Sequence, residues 1–442
     1  MHLIWENLIK NLTLLWTGDF KGLDEGKEEY VLGTAVWEAI ASRTASASDT
    51  IPSAYGSRVP NIAKDRPNVS AEMWSFWTLY LGPVLLRHKF KKEKYYRHFI
   101  KLVHLLNICL QFEITNDEIK RIRTGFIEWV RIYEDIYFQH DAERMSTCPL
   151  TIHALLHIAD GIKFCGPVWC YWAFPMERYC GSIQPGIRSR RFPWASIDRY
   201  VLEVAQLTQI KTLYNVVKEL SLREPRGLVQ GSLADPNYPS CILIPPKSPA
   251  VPDSGQIRSI AAALSTCSGA KMHQVNKALK TAIVEEWGKV RRVDSEAGDT
   301  MRSCSLGITA EDTRDATHVR YEMLVDQNAR FTKRPENFEL ETFYGQLTHI
   351  YRIHFPEPCP ALGIQHPTTY ILAAIRCCVL QAEDRELAGL DIHFYSNTGA
   401  LDAIDITSVQ SLVGRVETRD AWAIIDRSGA LARAQWLGEE AD

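Results

Sequence analysis

The sequence lacks a long apolar run, a CxxC pair and a strong net charge. No run approaches the ~18 apolar residues that a membrane helix needs, so we expect no membrane association. A formal net charge of -3 gives no overall attraction to nucleic acid, so any DNA contact must come from local basic patches. The eleven cysteines are scattered and no signal-like segment opens the chain, which predicts reduced thiols in an intracellular protein.

The first half of the chain has apolar residues at helical spacing. With 442 residues, 46% of them hydrophobic, the chain can bury a large core, and two domains are expected. A polar loop at 44–70 is long enough to carry function or to wrap over a neighbouring element. Helices are predicted over 1–16, 28–43, two stretches within 71–112, 115–138 and 197–222.

The second half changes in pattern. Residues 223–256 are rich in Pro, Gly and Ser and predict a linker, and residues 257–316 predict a helix, at 270–293, and a polar loop. From His318 the apolar residues alternate, which predicts strands at 319–325, 338–355, 369–382, 404–416 and 421–427. The predicted fold is therefore α+β, with a mostly helical region over 1–222 and a small β-rich or barrel-like domain over 317–442.

His153 and His157 are four residues apart, which places both imidazoles on one helical face. Asp160 follows one turn later, and Cys148 precedes the helix. This spacing would allow zinc binding, but the zinc-protease pattern fails because position 154 is Ala rather than Glu. The alternative, which the pattern favours, is that both histidines bond backbone or carboxylate groups within the fold.

Glu177 lies in an aromatic segment, WCYWAFPMERY at 169–179, whose bulky side chains are expected to restrict its hydration. A carboxylate in such surroundings must be paired, protonated or bound to a metal ion. A structural ion pair with Arg178 is the alternative to a functional role.

A short basic span follows, and we call residues 188–199 the arginine segment. Arg188, Arg190, Arg191 and Arg199 lie there, with no acid before Asp198. Guanidinium groups at this density suit phosphate oxygens and predict DNA contact. A solvated basic loop or a localisation signal would give the same pattern.

Three blocks of this sequence resemble the CACTA-type (En/Spm-like) DDE transposases of eukaryotic genomes. They are MHLIWEN at the start, HALLHIADGIKFCGPVWCYWAFPMERYCGSI with the following RSRRFPWASIDRYVLEVAQL, and FYGQLTHIYRIHF near the end. The resemblance implies an RNase H-like core in which three carboxylates hold two Mg²⁺ or Mn²⁺ ions for in-line displacement at a DNA phosphate. It also implies a nuclear location, and DNA at transposon ends as the partner.

In that family a Met-His pair like Met1 and His2 closely follows an acid that serves as the second catalytic carboxylate. The resemblance therefore implies that the first two acids lie upstream of Met1, and that Glu177 matches the third. One carboxylate cannot hold two metal ions, so we expect the C-terminal part of a transposase without strand cleavage of its own. A full-length transposase or a second copy of the chain is the expected protein partner.

The competing class is a recruited DNA-binding or protein-interaction module without transposase activity. It would use the arginine segment and the β-rich domain. A third candidate is a structural role in protein assembly through the β-rich domain, where Tyr344 and Gly345 lie in a predicted strand. For these two residues a turn or packing role is favoured.

Overall fold

A computed structural model of the protein describes residues 2–24, 28–217, 219–221, 230–246, 252–293, 299–305, 314–330 and 334–428. Among them, residues 2–12 and 105–221 form one compact unit, which we call the helical unit. Residues 13–104 and 230–428 form a second, which we call the sheet unit. Residues 13–104, grouped with the helical region in the predicted 1–222 domain, therefore pack in the same unit as the strands.

Twelve α-helices and twelve strands are found in the described residues. The helices are α1 (Ile9–Thr17), α2 (Thr34–Ala47), α3 (Ala71–Phe76), α4 (Gly82–Leu85), α5 (Glu93–Cys109), α6 (Asn116–Tyr133), α7 (Leu150–Ala154), α8 (Ile158–Cys165), α9 (Phe174–Ile183), α10 (Pro193–Leu213), α11 (Ser254–Ser268) and α12 (Met272–Leu279). The strands are β1 (Leu233–Ala234), β2 (Cys241–Ile244), β3 (Ile283–Trp287), β4 (Lys289–Arg292), β5 (Thr300–Arg302), β6 (His318–Asp326), β7 (Phe338–Phe355), β8 (Thr368–Leu380), β9 (Ile392–Asp405), β10 (Val409–Leu412), β11 (Gly414–Glu417) and β12 (Trp422–Ile425).

Every regular element in the described part of the helical unit is helical. A π-helix, His2–Leu8, leads into α1. Helix α6 begins with a capping box, because the Thr115 hydroxyl accepts a hydrogen bond from the Glu118 amide and the Glu118 carboxylate accepts one from the Thr115 amide. Its buried face follows helical spacing: Ile122, Phe126, Trp129, Val130 and Tyr133. The predicted cap and helix are confirmed, with the last turn, Glu134–Phe138, in π-helical form.

The sheet unit has two antiparallel sheets and a helical layer. The larger sheet runs β10-β6-β7-β8-β9-β12-β11, with β3 paired to β7, and the smaller runs β1-β2-β4-β5. Alternate residues of β8 face opposite ways, so that Ile371 packs toward the smaller sheet while Leu372 packs with α11 and α12. Part of this structure lies in the predicted linker, which contains β1 and β2 instead of an unstructured connection.

The helices of residues 13–104 add an aromatic core to the sheet unit. The Trp16 ring meets the Phe90 and Phe99 rings edge-on, at centroid distances of 5.6 and 5.5 Å. The loop at 44–70 wraps over a neighbouring element, as predicted, because the buried Tyr55 hydroxyl lies 3.0 Å from the carbonyl oxygens of both Leu412 and Ile425. Among the described residues, no helix combines the length and apolarity that crossing a bilayer requires.

Several predicted elements need correction. The predicted helix at 270–293 ends at Leu279, because the following residues form β3 and β4 and pair with other strands. The predicted strand at 404–416 is interrupted by a 3₁₀ turn, Ile406–Ser408, which separates β9 from β10. Strand β9 was not predicted over most of its length. By contrast, β7 spans 338–355, as predicted. Residues 429–442 of the predicted β-rich domain lie outside the described residues.

Candidate nucleic-acid interface around Glu177 and the arginine segment

Glu177 lies in the first turn of α9, after a proline that suits a helix start. Its side chain is 47% exposed, and the aromatic residues around it, including Trp169, Tyr171 and Tyr179, are exposed as well. The prediction that this segment dehydrates Glu177 is therefore wrong. The reason is that this segment lies on the surface, where solvent reaches both the rings and the carboxylate.

Glu177 contacts the start of the chain. Its Oε1 lies 3.0 Å from Nε2 of His2, and Nδ1 of the same imidazole lies 2.5 Å from Oε2 of Glu6. The hydrogen bond with Glu6 is the largest influence on His2 and raises its pKa above the ordinary 6.5, and Glu177 acts in the same direction. His2 therefore bridges two carboxylates that belong to the π-helix and to α9.

This arrangement does not fit a divalent metal ion. Mg²⁺ and Mn²⁺ are held by several oxygen ligands that converge on one point. Here an imidazole occupies the space between Glu6 and Glu177. Among the described residues, no group of three or more His, Cys, Asp or Glu side chains is arranged to hold a metal ion. His2, Glu6 and Glu177 therefore do not form a site for the ions that the resemblance implies.

His153 and His157 do lie together, as their spacing predicted. Their Nε2 atoms are 3.1 Å apart, and both side chains are exposed. Asp160 does not join them, because both of its oxygens accept hydrogen bonds from Arg123, at 2.5 and 3.2 Å. That ion pair links α8 to α6 and lowers the pKa of Asp160. The two imidazoles therefore offer one Nε2 atom each at this place, with no third ligand among the described residues.

A close contact between the turn after α9 and helix α10 lies just before the arginine segment. The buried Gly186 ends a short 3₁₀ turn after α9 and lies against the ring of Tyr200 in α10. A Cβ atom at position 186 would be 2.6 Å from Cγ of Tyr200, so only glycine allows this approach. The Ser189 hydroxyl then accepts a hydrogen bond from the Phe192 amide at 3.2 Å, which orders the loop that leads into α10.

The arginines of this segment differ in their partners. Arg188, Arg190 and Arg191 are exposed and form no ion pair with any other residue that the structure describes. Arg199 instead donates to Glu203 one turn later in α10, at 2.7 Å, and this contact raises its pKa. The first three guanidinium groups are therefore available to a ligand, while Arg199 already has a carboxylate partner.

Two exposed aromatic rings lie among these arginines, and the sequence pattern predicted no role for them. Phe192 and Trp194 are 59% and 76% exposed, and the Arg191 guanidinium lies 5.3 Å from the centre of the Phe192 ring. The signal that could have identified them is the sequence RSRRFPW at 188–194, in which two aromatic residues directly follow three arginines. Glu6 was missed for a different reason, since only the fold brings it to His2.

Helix α10 has no buried side chain in its 21 residues. Apolar residues such as Leu202, Val204, Ile210 and Leu213 are exposed to solvent along it. A helix with this composition ordinarily covers its apolar residues with other protein.

Comparison of the chain with protein-family models, with characterised proteins and with solved structures gives no match.

Proposed function

We propose that this chain is a transposon-derived protein, the C-terminal portion of a DDE-type DNA transposase, which alone binds DNA in the nucleus without cleaving it. The contact between His2 and Glu177 carries the proposal. The resemblance assigns the Met-His pair to a position just after the second catalytic acid, and Glu177 to the third. These positions are 175 residues apart, yet their side chains are 3.0 Å apart. In an intact transposase of this kind, the second and third acids share a metal site, which would require their positions to be close together.

The exposed surface of α10 also supports this proposal. In an RNase H-like enzyme, helices pack against a central sheet, and their apolar residues are covered there. The described part of the helical unit contains no strand, while α10 exposes Leu202, Val204 and Ile210. An RNase H-like sheet would be a suitable cover for these side chains, because flat apolar sheet faces and apolar helix faces are stable together.

We expect no cleavage because too few carboxylates are available to hold two metal ions. Two metal ions that activate a nucleophile and stabilise the leaving oxygen need several carboxylates around them. Glu177 is the one catalytic carboxylate that the resemblance assigns within this chain, and its Oε1 is hydrogen-bonded to the His2 imidazole. We therefore expect the metal-ion chemistry of the family to be missing from this chain by itself.

DNA binding is assigned to the arginine segment. Arg188, Arg190 and Arg191 are exposed, close in sequence and without an ion-pair partner among the described residues. Contacts between such groups and phosphates release counterions, so the affinity must fall as salt rises. Arg199 contributes less in this scheme, because phosphate must compete with Glu203 for its guanidinium group.

The binding test uses the full chain, a labelled mixed-sequence DNA duplex and fluorescence anisotropy over a salt series. We expect affinity to fall with salt, and the slope to decrease by roughly two in Arg190→Glu/Arg191→Glu, since two phosphate contacts are lost. The double variant Arg385→Glu/Arg419→Glu makes the same charge change at exposed arginines of the sheet unit and should keep the wild-type slope. A response that is flat with salt would overturn the proposal.

The cleavage test measures nicking of supercoiled plasmid with Mg²⁺ or Mn²⁺. We expect neither the wild-type chain nor Glu177→Ala to nick DNA. Nicking by the wild-type chain that disappears in Glu177→Ala would contradict the expected inactivity and identify Glu177 as a catalytic carboxylate.

A further inference from the structure

We propose that the arginine segment binds single-stranded DNA, with Phe192 and Trp194 stacking on unpaired bases while Arg188, Arg190 and Arg191 contact phosphates. This inference rests on the proposed DNA binding and extends it to a substrate class. The observation that carries it is that two exposed rings directly follow three exposed arginines, which have no ion-pair partner among the described residues.

The fold of the chain leaves most of the surface of both rings in contact with solvent. Trp194 is 76% and Phe192 59% exposed, while Pro193 between them is partly covered. Removing a large aromatic ring from water is favourable in free energy. Two nearby exposed rings therefore indicate a surface suited to a ligand with flat apolar faces. Nucleic-acid bases have such faces, and every base can stack on an aromatic ring.

The positive charge around the rings favours a polyanion as the ligand. Between Arg188 and Ser196 the chain has three arginines and no acid, and the first carboxylate is Asp198. The Arg191 guanidinium lies 5.3 Å from the centre of the Phe192 ring, so a base on that ring would lie beside a cation. Residues 188–194 can span at most about 25 Å, which is the reach of a few nucleotides of a single strand.

Local structure holds these groups in place before any ligand arrives. The Ser189 hydroxyl accepts a hydrogen bond from the Phe192 amide, and Gly186 lies against the Tyr200 ring. Phe192 is the residue before the first turn of α10, and Trp194 lies within that turn. A surface that is ordered in advance loses less conformational entropy on binding, which favours affinity.

Unpaired bases and duplex DNA make different demands on this surface. In a duplex, the base faces are covered by neighbouring base pairs, so Phe192 and Trp194 cannot stack on them and the arginines alone make contact. A single strand offers both phosphates and base faces. The rings should therefore matter for single strands alone, while the arginines should matter for both forms of DNA.

The experiment measures anisotropy of labelled oligo-dT and of a mixed-sequence duplex of the same length, at one salt concentration, with the full chain. We expect Phe192→Ala and Trp194→Ala each to weaken oligo-dT binding roughly ten-fold, with duplex binding unchanged. Arg190→Glu/Arg191→Glu should weaken both. Trp194→Phe should restore most of the affinity for oligo-dT. Phe164→Ala removes an equally exposed ring from α8 and should change neither.

The outcomes separate this inference from the proposed function. Duplex binding that depends on the arginines, with oligo-dT binding indifferent to both rings, would overturn the single-strand inference and leave DNA binding in place. An equal loss for duplex and oligo-dT in the ring variants would also overturn it. Binding of neither DNA would remove both proposals. Reduced self-association of the ring variants in sedimentation, without any effect on DNA binding, would assign the surface to protein contact and overturn the inference.

Discussion

His2 bridges two carboxylates: its Nε2 lies 3.0 Å from Oε1 of Glu177, and its Nδ1 lies 2.5 Å from Oε2 of Glu6. Both nitrogen atoms can donate only when the imidazole is protonated. The bridge between the π-helix and α9 is therefore strongest in the charged state of His2, and it links two parts of the helical unit that are far apart in sequence.

The first prediction concerns the pH dependence of this bridge. Because the pKa of His2 is raised above 6.5 in the folded chain, its stabilising contribution is fully present below 6.5 and is lost as pH rises through the raised value. NMR titration of histidine-labelled protein should give a pKa for His2 above 6.5. Glu6→Gln should lower it more than Glu177→Gln, since the hydrogen bond with Glu6 is the larger cause. An unchanged pKa in both variants would contradict the bridge.

The second prediction concerns the turn before the arginine segment. Gly186→Ala would place its Cβ only 2.6 Å from Cγ of Tyr200, so we expect a local loss of about 1–3 kcal/mol. Hydrogen exchange by mass spectrometry should show faster exchange over residues 187–200. Gly181→Ala in α9 is the matched control, because a Cβ there meets no atom within 4 Å and alanine favours a helix. Equal exchange in the two variants would argue against the close contact.

The sequence predicted those features that depend on neighbouring residues. Thr115 and Glu118 form a local cap, and β7 alternates at both of its ends despite a bulge between Leu347 and His349, so both could be identified from the residues alone. Strand β3 could not, because Ile283–Trp287 is short and becomes a strand through pairing with β7. Strand β9 was missed because its later part, SNTGALDA at 396–403, has small and polar residues that weaken the alternation.

In the candidate site, too, local features were predicted from the sequence and contacts between distant residues were not. The spacing of His153 and His157 predicted their proximity, and the arginines were visible as a cluster. The exposure of Glu177 and its contact with His2 depend on a fold that joins residues 175 positions apart. A sequence pattern carries no direct information about such a contact, because it is made by the packing of distant helices.

The third prediction tests the packing of β7 on β8. A Cβ at Gly345 would lie 2.5 Å from Cγ2 of Ile375 and 2.7 Å from the Arg376 carbonyl oxygen. Backbone atoms of a hydrogen-bonded sheet cannot move aside without loss of stability. Gly345→Ala should therefore lower the free energy of unfolding by about 1–3 kcal/mol, measured by urea denaturation. At Gly399 in β9 the nearest atom would be 3.5 Å away, so Gly399→Ala should be neutral or stabilising. Equal stability of the two variants would count against a packing role for Gly345.

The fourth prediction tests the anchor of the 44–70 loop in the sheet unit. The Tyr55 hydroxyl lies 3.0 Å from the carbonyl oxygens of Leu412 and Ile425 and accepts a hydrogen bond from the Arg427 amide at 3.2 Å. Burial raises the pKa of this hydroxyl well above its usual range, so it stays neutral and keeps its proton for donation.

Tyr55→Phe keeps the ring and removes the hydroxyl, which leaves buried backbone groups without that partner. The expected loss is about 1–3 kcal/mol of unfolding free energy, because desolvated polar groups are costly when unpaired. Tyr95→Phe is the control, since the Tyr95 hydroxyl donates to the more exposed Glu29 carboxylate at 3.2 Å, which water can solvate instead. Urea denaturation should therefore show a clearly larger loss for Tyr55→Phe. A loss no greater than that of the control would mean that water replaces the Tyr55 hydroxyl and that the loop does not depend on this anchor.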